Sequence, residues 1–157
     1  MDLLNFELCV DASHAADKET RRRLTGFIIL LNRAPIILYS KIQNTVEDIT
    51  FYSEFTKSKA YIEHITALRF KLRMFEIPVV ESTKILFGNA RVVNNSSILS
   101  YAVNKNYISI AYHFLRWHVA LGVIKDSWVD TDSNLSGAMT KILTEEKRGI
   151  LFVKWTY

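Results

Sequence analysis

The chain has 157 residues, of which 49% are hydrophobic and 23% charged, and its formal net charge is +4. These values favour one compact domain with an ordinary core, since a chain of this length can bury about 70% of its unfolded surface. The small positive charge permits a polyanionic partner without requiring one. Cys9 is the single cysteine, which excludes an internal disulfide and predicts an intracellular location, either cytoplasm or nucleus.

The sequence offers no segment suited to a secretory signal or a membrane span, so no membrane partner is expected. Asp2, Asn5 and Glu7 interrupt the first apolar residues. The longest apolar stretch, Leu24 to Tyr39, is broken in its middle by an Asn-Arg pair. Neither half approaches the roughly 20 residues that a transmembrane helix needs. This stretch is therefore predicted to be a β-hairpin.

Antiparallel strands are predicted at the start of the chain and a long helix after them. Strands are expected at Phe6–Asp11, Leu24–Leu31 and Ala34–Lys41, because each is rich in β-branched or bulky apolar residues bounded by polar turns. The helix should run from Thr50 to Phe75. Its apolar residues recur every three or four positions, at Tyr61, Ile65, Leu68, Leu72 and Phe75. Pro78 excludes a continuing helix.

Strands and helices alternate in the second half of the chain. A strand at Lys84–Phe87 should be followed by a short helix at Asn89–Asn95. A longer helix ends at Gly122 and carries an apolar stripe of Ile108, Tyr112, Leu115 and Val119. A strand at Val123–Val129 and a last helix at Ser133–Leu143, capped by Ser or Asn, complete the order. This order predicts an α/β domain with a five-stranded mixed sheet and helices on both faces.

Several short motifs occur in an order that is found in one known family. They are residues 10–15 (VDASHA), 20–26 (TRRRLTG), 40–47 (SKIQNTVE), 51–55 (FYSEF), 68–78 (LRFKLRMFEIP), 85–89 (ILFGN) and 134–141 (NLSGAMTK). On these motifs the chain resembles the ribonuclease H domain at the C-terminal end of copia-type LTR-retrotransposon polyproteins. The resemblance covers roughly residues 7 to 147. It implies a ribonuclease H-like fold over residues 1–147, followed by a C-terminal tail at 148–157.

The resemblance also implies an acidic metal site, of which this chain carries half. Hydrolysis of a phosphodiester by the two-metal route uses two Mg²⁺ ions about 4 Å apart, held by several carboxylates that balance their charge. The family takes four acids from the first strand, the first long helix, the next strand and the final helix. Asp11 matches the first position and Glu54 the second, whereas Gly88 and Gly137 occupy the third and fourth.

Glycine has no side chain that could bind a metal ion, so two dications facing two carboxylates would leave a net charge of +2. The acids at 47–48, Asp130 and Asp132 lie close in sequence to the matched positions, but none coincides with a family ligand. We therefore predict an inactive domain for which no cofactor is expected. If the domain is an enzyme, Asp11 and Glu54 are the expected Mg²⁺ ligands.

Positively charged residues supply the candidate contacts to nucleic acid. They are Arg21, Arg22, Arg23, Lys41, Lys105 and Arg116. Arginine and lysine neutralise phosphates, so these residues predict weak binding of an RNA–DNA hybrid or another nucleic acid. A run of three charged residues is, however, more often a solvated turn. Exposed aromatic residues could stack on bases, and Trp128, Trp155 and Tyr157 are candidates for stacking or for ordinary packing.

Three functions remain open from the sequence. The first is a degenerate, inactive ribonuclease H-like domain that retains weak nucleic-acid binding. The second is a metal-dependent ribonuclease H that hydrolyses the RNA strand of RNA–DNA hybrids. The third is a protein-interaction module whose partner is unknown. A third carboxylate near Asp11 would favour the enzyme, a continuous basic groove would favour nucleic-acid binding, and an exposed apolar patch would favour a partner.

Overall fold

The computed structural model describes residues 4–12, 24–42, 50–97 and 106–153. The strands are β1 (Phe6–Ala12), β2 (Leu24–Leu31), β3 (Ala34–Ile42), β4 (Thr83–Phe87) and β5 (Ile124–Trp128). The α-helices are α1 (Thr50–Met74), α2 (Ala90–Ser97), α3 (Asn106–Ala120) and α4 (Glu145–Val153). A 3₁₀ helix spans Leu135–Met139.

The five strands form one mixed sheet in the order β3-β2-β1-β4-β5. Strand β2 is antiparallel to β1 and β3, whereas β4 is parallel to β1 and β5. The β2–β3 hairpin turns on Asn32 and Arg33, whose positive φ angles of 49° and 70° suit the twist of a two-residue hairpin loop. Because β1, β4 and β5 are parallel, their carboxyl ends lie at one edge of the sheet. The predicted mixed sheet is thus confirmed.

One face of the sheet carries the main core. Side chains alternate along a strand, so Leu8 and Val10 of β1 point to the same face, where they are buried with Ile62 and Ile65 of α1. Leu115 of α3 joins the same cluster. Helices α1 and α3 pack against each other over this face. Tyr61 and Ile65 of the stripe predicted for α1, and Tyr112 and Leu115 of the stripe predicted for α3, are therefore part of the core.

The 3₁₀ helix packs on the other face. There Cys9, Ile28 and Leu30 are buried, with Leu135 and Met139 of the 3₁₀ helix packed against them. Together with the main helices this gives helical elements on both faces, as predicted. The last helix, however, was predicted wrongly as an α-helix at 133–143. It is a 3₁₀ helix of five residues, which ends because the backbone of Thr140, with a φ of −124°, leaves the helical region, and a separate helix, α4, follows.

The end of α1 also differs from the sequence prediction. Helix α1 ends at Met74, and Phe75, expected in its buried stripe, is 75% exposed. The chain leaves the helix through Glu76, whose φ of 59° reverses the backbone direction. Helix α4 includes residue 147, and the division into a domain and a tail at that residue stays a prediction. Within the described ranges, no helix combines the length and apolar character needed to cross a membrane.

Candidate functional site

Asp11 lies where β1 reaches the carboxyl edge of the sheet. It is in register with Gly26 of β2, and its neighbour Val10 is in register with Phe87, the last residue of β4. Gly88 follows β4 directly, so the parallel pairing of the two strands brings it beside Asp11. The carboxyl edge of parallel strands is a common place for ligand sites in α/β sheets.

The two glycines flank the Asp11 carboxylate. A Cβ atom placed on Gly88 would lie 3.9 Å from Oδ1 of Asp11, and one placed on Gly137 would lie 3.8 Å from its Oδ2. Neither position is blocked by the backbone, since the nearest other atom to the Gly88 Cβ is Nδ2 of Asn134 at 3.4 Å. The structure therefore brings together Asp11, Gly88 and Gly137, although the first and last of them are 126 positions apart in sequence.

Asp11 pairs with a lysine and a threonine. Thr140 Oγ1 donates a hydrogen bond of 2.6 Å to Oδ2, and Lys141 Nζ lies 3.0 Å from the same oxygen. The Asp11 side chain is only 10% exposed, so this ion pair is shielded from solvent better than an ordinary surface pair. The ammonium group of Lys141 thus balances the negative charge of the Asp11 carboxylate. Thr140 and Lys141 lie within the motif at residues 134–141, but the sequence predicted no role for either of them.

Asn134 fixes the 3₁₀ helix to the end of β1. Its Nδ2 donates to the carbonyl oxygen of Val10 at 2.8 Å, and its Oδ1 accepts from the backbone N–H and the hydroxyl of Ser136 at 3.2 and 2.7 Å. Both side chains are buried, and Asn134 is the N-cap of the helix. Because Val10 precedes Asp11, this amide holds residues 140–141 against the carboxylate. The Ser or Asn cap predicted from sequence was the only signal for it.

Gly26 permits the close approach of this helix. A Cβ atom on Gly26 would lie 2.6 Å from Cβ of Met139 and 2.7 Å from Cγ2 of Thr140, closer than real contacts allow. Ser40 on β3 adds a hydrogen bond of 2.7 Å from its hydroxyl to the carbonyl oxygen of Met139. The row Asp11, Gly26 and Ser40 across three paired strands therefore forms the floor on which the 3₁₀ helix rests.

In the part of the chain that the structure describes, no other predicted site residue is seen beside Asp11. Glu54 belongs to α1, but its side chain lies outside the described part, as do Arg21–Arg23 and Lys105. Lys41 is exposed on β3, two strands from β1 or about 10 Å across the sheet. Arg116 is on α3, with its guanidinium 5.3 Å from the centre of the Tyr112 ring.

The acids considered as substitute ligands have other partners. Asp132 forms an ion pair of 2.7 Å with Lys147, and this hydrogen bond lowers the pKa of Asp132. Asp130 accepts a hydrogen bond of 3.1 Å from the backbone N–H of Asp132. Among the residues that the structure describes, no three His, Cys, Asp or Glu side chains are grouped so that they could hold a metal ion. Residues 47 and 48 lie outside this part of the chain.

Comparisons with known proteins identify the fold. No known family profile matches the sequence, and no curated protein matches it either. The structure resembles the N-terminal ribonuclease H domain of a Mycobacterium tuberculosis protein, solved as a fusion with maltose-binding protein. The TM-score is 0.60 at 9% sequence identity, over 96% of this chain and 97% of that one.

A second similar structure is LC11 ribonuclease H1 in complex with an RNA/DNA hybrid. Its TM-score is 0.58 at 13% identity, and the match covers 87% of this chain and 94% of that one. Both matches span nearly whole domains, and the mixed five-stranded sheet agrees with them. The chain therefore has a ribonuclease H-like fold.

Proposed function

We propose that this ribonuclease H-like domain is a catalytically inactive relative of the copia-type retrotransposon domains and that it binds RNA–DNA hybrids weakly. One observation carries the inactivity: the Asp11 carboxylate has a glycine beside each of its oxygens and pairs with Lys141. The ordered sequence motifs support the copia-type origin. If that origin is right, DNA sequenced upstream of this coding region should retain reverse-transcriptase motifs in the same orientation.

The charge balance explains why two metal ions would bind poorly. Asp11 and Glu54 together supply two negative charges, and Lys141 returns one positive charge to the same edge. Two Mg²⁺ ions added to these three groups would give a net charge of +3. Mg²⁺ also requires near-octahedral oxygen coordination, and two of the matched ligand positions have no side chain. The loss of individual positioned catalytic groups commonly lowers rates by several powers of ten.

Inactivity is tested with a labelled RNA–DNA hybrid, purified protein and Mg²⁺ or Mn²⁺. We expect no cleavage above the background of a mock purification. Asp11→Asn is the matched control, because it removes the charge and keeps the size of the side chain. Cleavage that disappears in Asp11→Asn would show that the edge still works as a nuclease, and it would overturn the proposal.

Weak hybrid binding is supported by the net charge of +4 and by the hybrid bound to the similar LC11 ribonuclease H1. Phosphate contacts release counterions, so affinity should fall steeply between about 50 and 200 mM salt. Replacing Arg21, Arg22 and Arg23 with alanine should flatten this salt dependence. A control that replaces the exposed Lys71, Lys125 and Arg148 with alanine removes the same charge elsewhere.

Fluorescence anisotropy with a labelled hybrid measures both variants. If the arginine run contacts phosphate, its loss reduces the salt slope more than the control does. Equal slopes for the two triple variants would assign the run to a solvated turn. An absence of binding at the lowest salt would reject the nucleic-acid part of the proposal while leaving the inactivity unaffected.

A further inference from the structure

A cavity of about 780 Å³ opens at the edge of the sheet opposite Asp11. It is lined by the last turns of α1, by the segment 76–80 that follows α1, and by residues 121–123 that follow α3. These segments lead into the amino ends of β4 and β5, whereas Asp11 and Gly88 lie at the carboxyl ends of the parallel strands. The cavity is therefore separate from the candidate site.

Several exposed apolar side chains line the cavity. Phe70 is 62% exposed, Val80 72% and Leu121 54%, and Ile77 completes the rim. Isolated apolar residues are normal at protein surfaces, but several around one concave site are typical of a ligand-binding groove. Gly122, with a φ of 68°, ends α3 and turns the chain so that Leu121 faces the opening.

Two guanidinium groups lie in this apolar setting. Arg69 donates hydrogen bonds to the carbonyl oxygens of Val79 and Glu81 at 3.1 and 2.7 Å and to the hydroxyl of Thr83 at 3.1 Å. All three acceptors are neutral. Burial, and then the charge of Arg73 one turn further along α1, lower the pKa of Arg69. The arginine pair thus gives the cavity a local positive charge, which Glu76 balances only in part.

No carboxylate in the described ranges forms an ion pair with either arginine. Glu76 lines the cavity as its one acidic residue, so the three charged side chains sum to +1. Arginine has five N–H donors, and Arg69 uses three hydrogen bonds to hold the 79–83 segment, which leaves donors for a further acceptor. A bound anion would accept charge-assisted hydrogen bonds from these remaining N–H donors.

We propose that this cavity binds a small anionic amphiphile, meaning a molecule with a carboxylate or sulfonate head and an apolar body. The head lies between Arg69 and Arg73, and the body packs against Phe70, Ile77 and Leu121. The volume falls within the range of about 300 to 1,000 Å³ that is typical of small-molecule sites. Neither the proposed inactivity nor the hybrid binding is needed for this site to work.

The test uses the full chain with octanoate as the probe and octanol as its uncharged counterpart. Isothermal titration should show saturable binding of one octanoate and at least about ten-fold weaker binding of octanol, since a hydrogen bond to a charged group contributes about 1.5 to 3 kcal/mol. Backbone amide shifts in NMR should be confined to residues 66–80 and 121–123. Shifts at the Asp11 edge instead would overturn the assignment of the site.

Three substitutions separate charge from simple hydrophobicity. Arg73→Gln should weaken octanoate binding about ten-fold and leave octanol unchanged, whereas Glu76→Gln should strengthen octanoate binding. Lys71→Gln is the matched control, because it removes one charge from the same helix but does not line the cavity. Loss of binding through unfolding is excluded by measuring thermal melts of each variant.

The proposal fails if octanoate does not saturate, or if octanol binds equally well. It also fails if Arg73→Gln and Lys71→Gln have the same effect. If the surface serves only to dock a protein partner, octanoate binding will not saturate. Binding that follows the charge of residues 73 and 76 in opposite directions would establish the anionic class of the ligand.

Discussion

Acids introduced at Gly88 and Gly137 should create a metal site beside Asp11. Gly88→Asp combined with Gly137→Asp places new side chains whose Cβ atoms start 3.9 and 3.8 Å from the Asp11 carboxylate oxygens. Neither glycine has a positive φ that a larger residue would strain. The substituted side chains therefore fit with small local adjustments, and three carboxylates meet at the carboxyl edge of the sheet.

Without a bound metal ion, repulsion among the three carboxylates should lower the stability of the double Asp variant. Two carboxylates about 4 Å apart repel by about 4 kcal/mol at an effective dielectric constant of 20, and solvent at the sheet edge reduces this value. Lys141 offsets one of the charges. The double Asp variant should therefore be less stable in EDTA than a double Asn variant, which has the same shape without the charge.

In Mg²⁺ the double Asp variant should become more stable than the double Asn variant. A ligand present at about 100 times its dissociation constant stabilises the folded state by about 2.7 kcal/mol. For a domain of this size 1 kcal/mol shifts the Tm by about 2 to 4 °C, so the expected gain is about 5 to 10 °C. Differential scanning fluorimetry with increasing Mg²⁺ measures it for native protein, double Asp and double Asn variants.

Only the double Asp variant should respond to Mg²⁺. If its Tm stays constant up to millimolar Mg²⁺ while it remains folded, then the edge around Asp11 does not have metal-binding geometry, and the alignment of Gly88 and Gly137 with ligand positions is wrong. An equal response of the double Asn variant would point to non-specific binding. Calcium serves as a second probe, because its coordination tolerates a less regular site.

Three further outcomes follow from local packing. Gly26→Ala should lower the free energy of unfolding by about 1 to 3 kcal/mol in urea denaturation, because its Cβ would overlap Met139, whereas Gly149→Ala, with open space around it, should be neutral or stabilising. Glu76→Gly should raise the free energy of unfolding by about 1 kcal/mol in the same assay, since a φ of 59° suits glycine; a decrease would contradict this backbone argument. Burial raises the pKa of Cys9 to about 12, so a thiol reagent at about pH 8 should label it only as fast as the protein unfolds, and rapid labelling of native protein would refute its burial.

The sequence by itself determined the order and type of most elements. Strands β1 to β5 all begin and end within one residue of their predicted limits. The apolar stripe predicted for α1 places Tyr61 and Ile65 in the core. These features depend on residues a few positions apart, so local periodicity and turn residues are enough to predict them. Gly122 ended α3 for the same reason, because its positive φ satisfies a local backbone requirement.

The tertiary structure decided what surrounds Asp11. Its contact with Thr140 spans 129 positions, and the hydrogen bond from Asn134 to Val10 spans 124, so no local pattern could reveal either one. Where an α-helix was predicted, the structure has a 3₁₀ helix, whose end lies against the sheet at Gly26 and beside Asp11. Packing between distant segments, rather than local propensity, thus set the geometry and charge of the candidate site.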